Sequence, residues 1–312
     1  MPNATITILN RCSKRDQELN TTWRPVDRTP ELLRELSFQS GASDCYLPRN
    51  GTAYKARKTE FKLATWNIGG ILNGYPEDDA VKAAVIETID ADVLALQEVP
   101  TLRRHLDLFQ ERHLKGSPFE YRVLIEGNDH KKNIALLSKM PIRIAYTYRE
   151  EPIASSKKLW FTRDLLETVI EPFPGWKMRI FIVHLKGGSD SCSRNIRSAE
   201  AAAIKRIAKQ HLQNNRREPI AIVGDFNALS DSETVKTLTR DPYTFFAPHR
   251  LEAKRASNGF HPEGPDHILL SRNMQRHYYV AGSARTMKLG ERAHKLSTHL
   301  PLMVTIRTFC FG

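Results

Sequence analysis

The stretch PIAIVGDFN, Pro219–Asn227, runs through four apolar residues and then closes on a glycine, an aspartate and an asparagine. A short apolar run bounded by turn-forming residues reads as a strand buried on both faces. Its polar residues, Asp225 and Asn227, collect at the C-terminal end. DVLALQEV, Asp92–Val99, repeats the pattern and carries Glu98 near its end. FKLATW, Phe61–Trp66, stops at Asn67 before the turn residues Gly69 and Gly70. The run Lys177–Leu185 carries His184 and is followed by Lys186.

Helical periodicity separates these strands. Asp79–Asp90 is expected to be a helix burying Val81, Ala84, Val85, Thr88 and Ile89. A second is expected near Leu102–Leu114, and a third over Ile196–Leu212 with Ile204, Ile207, Ala208 and His211 inward. Further strands are expected at Tyr121–Ile125, Asn133–Leu137, Ile142–Tyr148, Asp266–Leu270 and Leu300–Arg307. Leu165–Ile170 is expected to pair with Lys177–Leu185 through a turn at Pro172–Gly175. The chain therefore reads as α/β from residue 59 to 312. Residues 1–58 are polar, interrupted by Pro25, Pro30 and Pro48, with one short helical pattern at Pro30–Phe38. They read as an extension that packs on the main domain or stays partly disordered.

The net charge is +12 over 312 residues, a surplus that attracts polyanions and carries no information about fold. Nucleic acid is the first expected partner and anionic lipid the second. No run approaches the roughly 20 apolar residues of a membrane span. The N-terminal residues lack a secretory pattern, so a cytoplasmic monomer is expected. Cys12, Cys45, Cys192 and Cys310 show no zinc spacing, and free thiols or bridges remain open.

Burying a carboxylate or an amide costs several kcal/mol unless it is paired or bound to a cation. One such residue at a strand end is unremarkable: Asn67 alone would be a turn residue, and His184 alone a core histidine. Asn67, Glu98, His184, Asp225 and Asn227 at successive strand ends instead read as one cavity rim. Carboxylate and amide oxygens suit a hard octahedral cation, Mg²⁺ or Mn²⁺, rather than Zn²⁺. Histidines beside such a cation suit attack of water on a phosphate ester.

The ordered set TWNI, LQEV, HLK, GDFN, Asp266-His-Ile and Thr298-His-Leu-Pro-Leu resembles the endonuclease/exonuclease/phosphatase superfamily over about residues 60–308. Pancreatic-type deoxyribonuclease, abasic-site endonucleases, bacterial sphingomyelinases and inositol-polyphosphate phosphatases share that fold. The resemblance implies a four-layer α/β sandwich of two mixed β-sheets flanked by helices. It implies that Asn67, Glu98 and Asp225 bind metal and that Asp225 also aligns or deprotonates the attacking water. Asn227 would hold the phosphate, His184 would contact a non-bridging oxygen, and His299, oriented by Asp266, would face the scissile phosphate. Arg163, Lys186, Arg197 and Asn133 are the expected phosphate contacts, with Arg163 also readable as an ordinary ion-pair partner and Asp266 as a turn cap.

The chain departs from the pattern once. Relatives end in Ser-Asp-His, whose Asp supplies a metal-site carboxylate, and this chain has Ser297-Thr298-His299. Weaker metal affinity is the first expectation and loss of activity the second. A nuclease is the leading reading. A sphingomyelinase-like phospholipid phosphodiesterase, a DNA–protein adduct phosphodiesterase and a catalytically impaired nucleic-acid-binding protein are the alternatives. The loop cations Arg250, Lys254 and Arg255 are further candidates for phosphate contact.

Overall fold

The computed structural model describes residues 7–10, 56–70, 76–99, 103–114, 119–125, 132–149, 151–153, 159–173, 175–240, 245–246 and 264–311. The Pro30–Phe38 helical pattern, the 250–255 loop cations, Cys12 and Cys45 lie outside them.

Strands β1 (Thr7–Asn10) and β2 (Ala56–Asn67) are followed by helix α1 (Pro76–Ile89), β3 (Val93–Val99) and α2 (Arg103–His113). Next come β4 (Tyr121–Ile125), β5 (Asn133–Ser138), β6 (Ile142–Thr147), β7 (Leu165–Phe173) and β8 (Trp176–His184). The 24-residue helix α3 (Ser191–Asn214) leads to β9 (Ile220–Asp225), α4 (Glu233–Thr239) and β10 (Phe245–Phe246). The chain then forms β11 (Asp266–Ser271), α5 (Arg272–His277), β12 (Arg285–Thr286), α6 (Glu291–Leu296) and β13 (Leu302–Phe311).

Two mixed sheets result. One has seven strands in the order β1-β4-β5-β3-β2-β13-β12, the other six in the order β10-β11-β9-β8-β7-β6. In each, one parallel pair lies among antiparallel neighbours: β2 with β3, and β8 with β9. Those four strands run the same way within their pairs, so Asn67, Glu98, His184 and Asp225 all finish at strand C-termini. The sheets meet face to face through Leu63, Val93, Ala95, Leu136, Ile180, Ile182, Val223 and Ile268. The alternate residues face outward. Leu94, Leu96 and Trp66 pack with Ile86 and Phe109 of α1 and α2. Phe181, Val183 and Ile222 pack with Ile204 and Ile207 of α3. The expected four-layer α/β sandwich is the architecture observed. No helix among the described residues is long and apolar enough to cross a membrane.

Two sequence expectations need correction. β2 begins at Ala56, five residues before the strand expected from Phe61. In α1 the buried stripe is Asp79, Lys82, Ala83, Ile86 and Ile89, while Ala84 and Thr88 are exposed. Two charged residues inside the stripe hide it from a hydrophobicity reading. Lys82 is buried because its ammonium donates to the carbonyls of Gly69 and Gly70, and burial holds its pKa below the usual value. Helix α3 does bury Ile204, Ile207 and Ala208, and its N-terminus is capped by Asp190, which accepts from Ser193 N at 2.9 Å.

Asp164, at the entry to β7, is buried in the left-handed region at φ 72°. Its Oδ1 accepts from Tyr148 N at 3.0 Å and Leu165 N at 2.6 Å, and Thr147 Oγ1 donates to Oδ2. Burial still pushes its pKa up to about 7. The folded value lies above the unfolded one, so ionisation erodes stability as pH rises from about 4 to about 7. Asparagine fits the same shape, tolerates the backbone angle and can donate to Thr147. Asp164→Asn is therefore expected to stabilise the protein by about 2 kcal/mol at pH 8 and by little at pH 4. Denaturant unfolding at both pH values measures this, and an equal change at both would contradict it.

Candidate active site

GDFN is explained residue by residue. Gly224 has φ 138°, and a Cβ there would run into Val183 O of the parallel neighbour β8. Only glycine allows that approach, which lays Asp225 beside His184 in the strand register. Phe226 is fully buried against α3 and α4 and anchors the turn. Asn227 adopts φ 48°, donates its backbone N–H to Asp225 Oδ1 at 2.8 Å, and donates Nδ2 to Leu185 O at 2.9 Å.

Glu98 reaches the cleft through a β-bulge. Inward and outward positions alternate along β3, with Leu94 and Leu96 facing the helices, so Glu98 should face them too. The register against β5 shifts between Gln97 and Val99, and Glu98 sits at φ 59°. Val99 takes the helix-facing place, and the extra residue re-aims the carboxylate. Asn67 then joins the two sheets, with Nδ2 3.3 Å from Glu98 Oε1 and 3.0 Å from Asp225 Oδ2. Its Oδ1 accepts from Gly69 N at 3.1 Å, which fixes the amide orientation. As placed, the Asn67 amide donates to both carboxylates, and its Oδ1 keeps a second lone pair.

The C-terminal segment completes the rim. Ser297 Oγ donates to Asn67 O at 2.6 Å and accepts from His299 N at 3.2 Å, while Trp66 Nε1 donates to His299 O at 3.1 Å. These bonds set His299 opposite Asp225, with Nε2 3.9 Å from Asp225 Oδ2 and Nδ1 2.7 Å from Asp266 Oδ2. His184 Nε2 lies 3.4 Å from Asp225 Oδ2.

Burial and charge set the protonation tendencies. Burial raises Asp225, partly offset by His299, the Asn227 N–H, Asn67 and Arg163. It pushes Asp266 up to about 6 despite the His299 hydrogen bond. His299 loses hydration, but the Asp266 bond and the charges of Asp266, Asp225 and Glu98 outweigh this and raise its pKa. His184 goes the other way, driven well down by burial and by Arg163 and Lys132. The site thus pairs an imidazole biased toward the charged form with one held neutral, the separation that acid–base work requires.

A model of the Endonuclease/Exonuclease/phosphatase family matches residues 64–286. The chain belongs to this family. Family members are hydrolases of phosphoester bonds, and a phosphodiesterase or phosphatase chemistry follows for the chain at that level. No curated protein matches the sequence significantly. Among solved structures, the human Nocturnin catalytic domain with bound sulfate aligns at TM-score 0.61 and 17% identity, covering 81% of this chain and 97% of that one. A D. rerio TDP2 humanised by 14 mutations aligns at 0.58 and 14%, covering 80% and 99%. A mannosyl-6-phosphatase of Bacteroides thetaiotaomicron aligns at 0.54 and 15%, covering 79% and 99%. At these identities the likeness is one of fold.

Against the family pattern, Asn67, Glu98, His184, Asp225, Asn227, Asp266 and His299 come together at one cleft. Arg163 is buried beside them and donates Nη1 to Leu185 O at 2.6 Å, the acceptor it shares with Asn227. Lys186 and Thr298 lie at the rim, half-buried and exposed respectively, and Asn133 is buried opposite Val99 after the bulge. Arg197, expected at the phosphate, is turned elsewhere. It is buried and donates Nη1 to Lys186 O at 2.6 Å and Gly188 O at 3.0 Å, bracing the HLKGG loop. The sequence reading passed over its partner in this task, Glu200. That buried carboxylate accepts from Thr162 N at 2.8 Å and Lys186 N at 2.7 Å, tying the Arg163 and Lys186 loops together. A glutamate in an alanine-rich helical stripe was the available signal.

The donor set fits a cation. Asp225, Asp266 and His299 offer ligand atoms within 4.8 Å of one another. Asp266 Oδ1 is buried with no hydrogen-bond donor among the described residues. Glu98 stands outside the close group.

Proposed function

We propose that this chain is a Mg²⁺- or Mn²⁺-dependent phosphodiesterase that cleaves nucleic acid. The observation that carries the reading is the meeting of Asp225 with a carboxylate-oriented imidazole, His299, across 3.9 Å. Glu98 and Asp225 would hold a hard dication, which would supply positive charge beside the phosphate. Asp225, fixed by the Asn67 and Asn227 hydrogen bonds, orients a water and accepts its proton as the new P–O bond forms. His299, aimed by Asp266 and biased by it toward the charged form, places its Nε2–H against a non-bridging oxygen. Asn227 has a second amide N–H beyond its Leu185 bond for the same phosphate, and Arg163 adds charge behind it. The opposite P–O bond breaks, and the alkoxide leaves with a proton from solvent.

Nucleic acid is favoured as substrate by the +12 charge, since affinity for it comes largely from phosphate contacts. Sulfate, a tetrahedral anion like phosphate, is bound by the Nocturnin catalytic domain. The test incubates plasmid DNA, single-stranded DNA, RNA and sphingomyelin vesicles with the protein and Mg²⁺, Mn²⁺ or EDTA. Cleavage of a nucleic acid that EDTA abolishes is the expected result. No metal-dependent product from any substrate overturns the enzyme reading, and turnover of sphingomyelin alone replaces it with a lipid phosphodiesterase.

A further inference from the structure

The Glu98 carboxylate is crowded by donors. Its Oε1 lies 2.8 Å from Lys132 Nζ, 3.3 Å from Asn67 Nδ2 and 3.9 Å from His184 Nε2. The contact with Lys132 is built by the backbone. Lys132 immediately precedes Asn133, which pairs with Val99 just past the bulge. The same bulge that turns Glu98 into the cleft therefore sets it against this lysine. The Lys132 side chain is 40% exposed and that of Glu98 23%, so the pair lies at the surface rather than in the core.

The acidic groups near the cleft show what this contact does. Among the described residues, the side chains close enough to hold one ion together are Asp225, Asp266 and His299. Asp266 spends Oδ2 on His299 and keeps only its buried Oδ1 for an ion, so a further carboxylate beside Asp225 strengthens the hold on a dication. Glu98, linked to Asp225 through the Asn67 amide, is the carboxylate available, and an ammonium already neutralises it.

We propose that Lys132 is an internal counterion that competes with the divalent cation for Glu98. The proposal rests on the cation-dependent reading above and adds an order to it. Cation entry requires the ammonium to leave Glu98, and a substrate phosphate offers that ammonium a new anionic partner. Cation and polyanionic substrate each favour the state in which Lys132 has left Glu98, so each tightens binding of the other. The free protein holds its cation weakly, and the cleft loads fully when substrate is present.

Calorimetric titration of Mn²⁺ into the full chain without nucleic acid tests this, using wild type, Lys132→Met, Lys132→Arg and Lys139→Met. Lys139 pairs with Asp90 and Asp92 at the opposite end of β3. Lys132→Met is expected to bind Mn²⁺ at least about tenfold more tightly than wild type, a discounted figure for a part-exposed pair. The other two variants should stay within about twofold of wild type. Equal or weaker binding by Lys132→Met overturns the proposal, as does an equal gain in Lys132→Arg. Hydrolysis that needs a cation together with unchanged binding in Lys132→Met removes this inference alone. Hydrolysis indifferent to EDTA, with no Mn²⁺ bound by any protein, removes the cation reading as well.

Discussion

Asp225→Asn is expected to lower phosphodiester hydrolysis by at least about a thousandfold while the protein stays folded. Asp225 is where the two sheets' contributions meet. Its Oδ1 accepts from Asn227 N at 2.8 Å, and its Oδ2 lies 3.0 Å from Asn67 Nδ2 and 3.4 Å from His184 Nε2. The amide cannot accept a proton from water, and it brings no negative charge to a cation. With its oxygen kept on the Asn227 N–H, its NH₂ would face the Asn67 amide, donor against donor. Stability should change little, because burial already works against the charged form of Asp225 and a neutral side chain relieves that cost. Asp266→Asn should fall less, by about ten- to a hundredfold, since Asp266 orients His299 rather than meeting the phosphate. Steady-state rates with saturating Mg²⁺, beside far-UV circular dichroism, make the comparison. An Asp225→Asn protein that keeps more than about a tenth of the activity would remove Asp225 from the chemistry.

Much of this site was legible because each motif carries its own physical reason. A buried apolar run that ends in polar residues must put them somewhere useful, and GDFN, TWN and HLK do so at one pole. Position in the chain does not reveal direction in space, however. Glu98 lies at a position whose strand parity points it at α1 and α2, and only the bulge turns it inward. Asn67 reads as an oxygen ligand, and nothing in its sequence position shows that its Nδ2 also ties Glu98 to Asp225. Arg197 looks like a phosphate contact because it follows HLK closely, yet the loop's own carbonyls need donors and take it. The misassigned face of α1 has the same origin: Lys82 is polar by type and buried by partnership. Short elements such as β10, β12 and α4 to α6 carry too few residues for any period to show.

The largest stability effect expected lies beyond the motifs, under the C-terminal half of α3. Arg179 of β8 and Glu167 of β7 occupy outward positions of their strands, in line with Phe181 and Leu165. Both are almost fully buried, as is Glu218. Arg179 Nη1 pairs with Glu167 Oε1, and Nε pairs with Glu218 Oε1 at 2.7 Å. Tyr148 OH donates to Glu167 Oε2, and His211 Nε2 lies 3.5 Å from it. Removing the cation alone strands two buried carboxylates, so Arg179→Met is expected to cost about 3–5 kcal/mol at pH 7.

The pH dependence identifies the cause. Burial opposes ionisation of Glu167, but Arg179, His211 and Tyr148 together bring its pKa down to about 2. A folded value below the unfolded one means that its contribution is complete above about pH 5 and is lost as pH falls toward 2. Glu218 remains raised by burial despite Arg179, and it offsets part of that gain near neutral pH. Without Arg179 both carboxyls titrate upward, so between pH 7 and pH 5 the variant should gain stability from this cluster, while the Glu167 contribution in wild type stays complete. Chemical denaturation at pH 7 and pH 5 should therefore show the gap between the proteins narrowing at the lower pH. A gap of constant size would mean that Arg179 acts through packing of its aliphatic stem rather than through its charge.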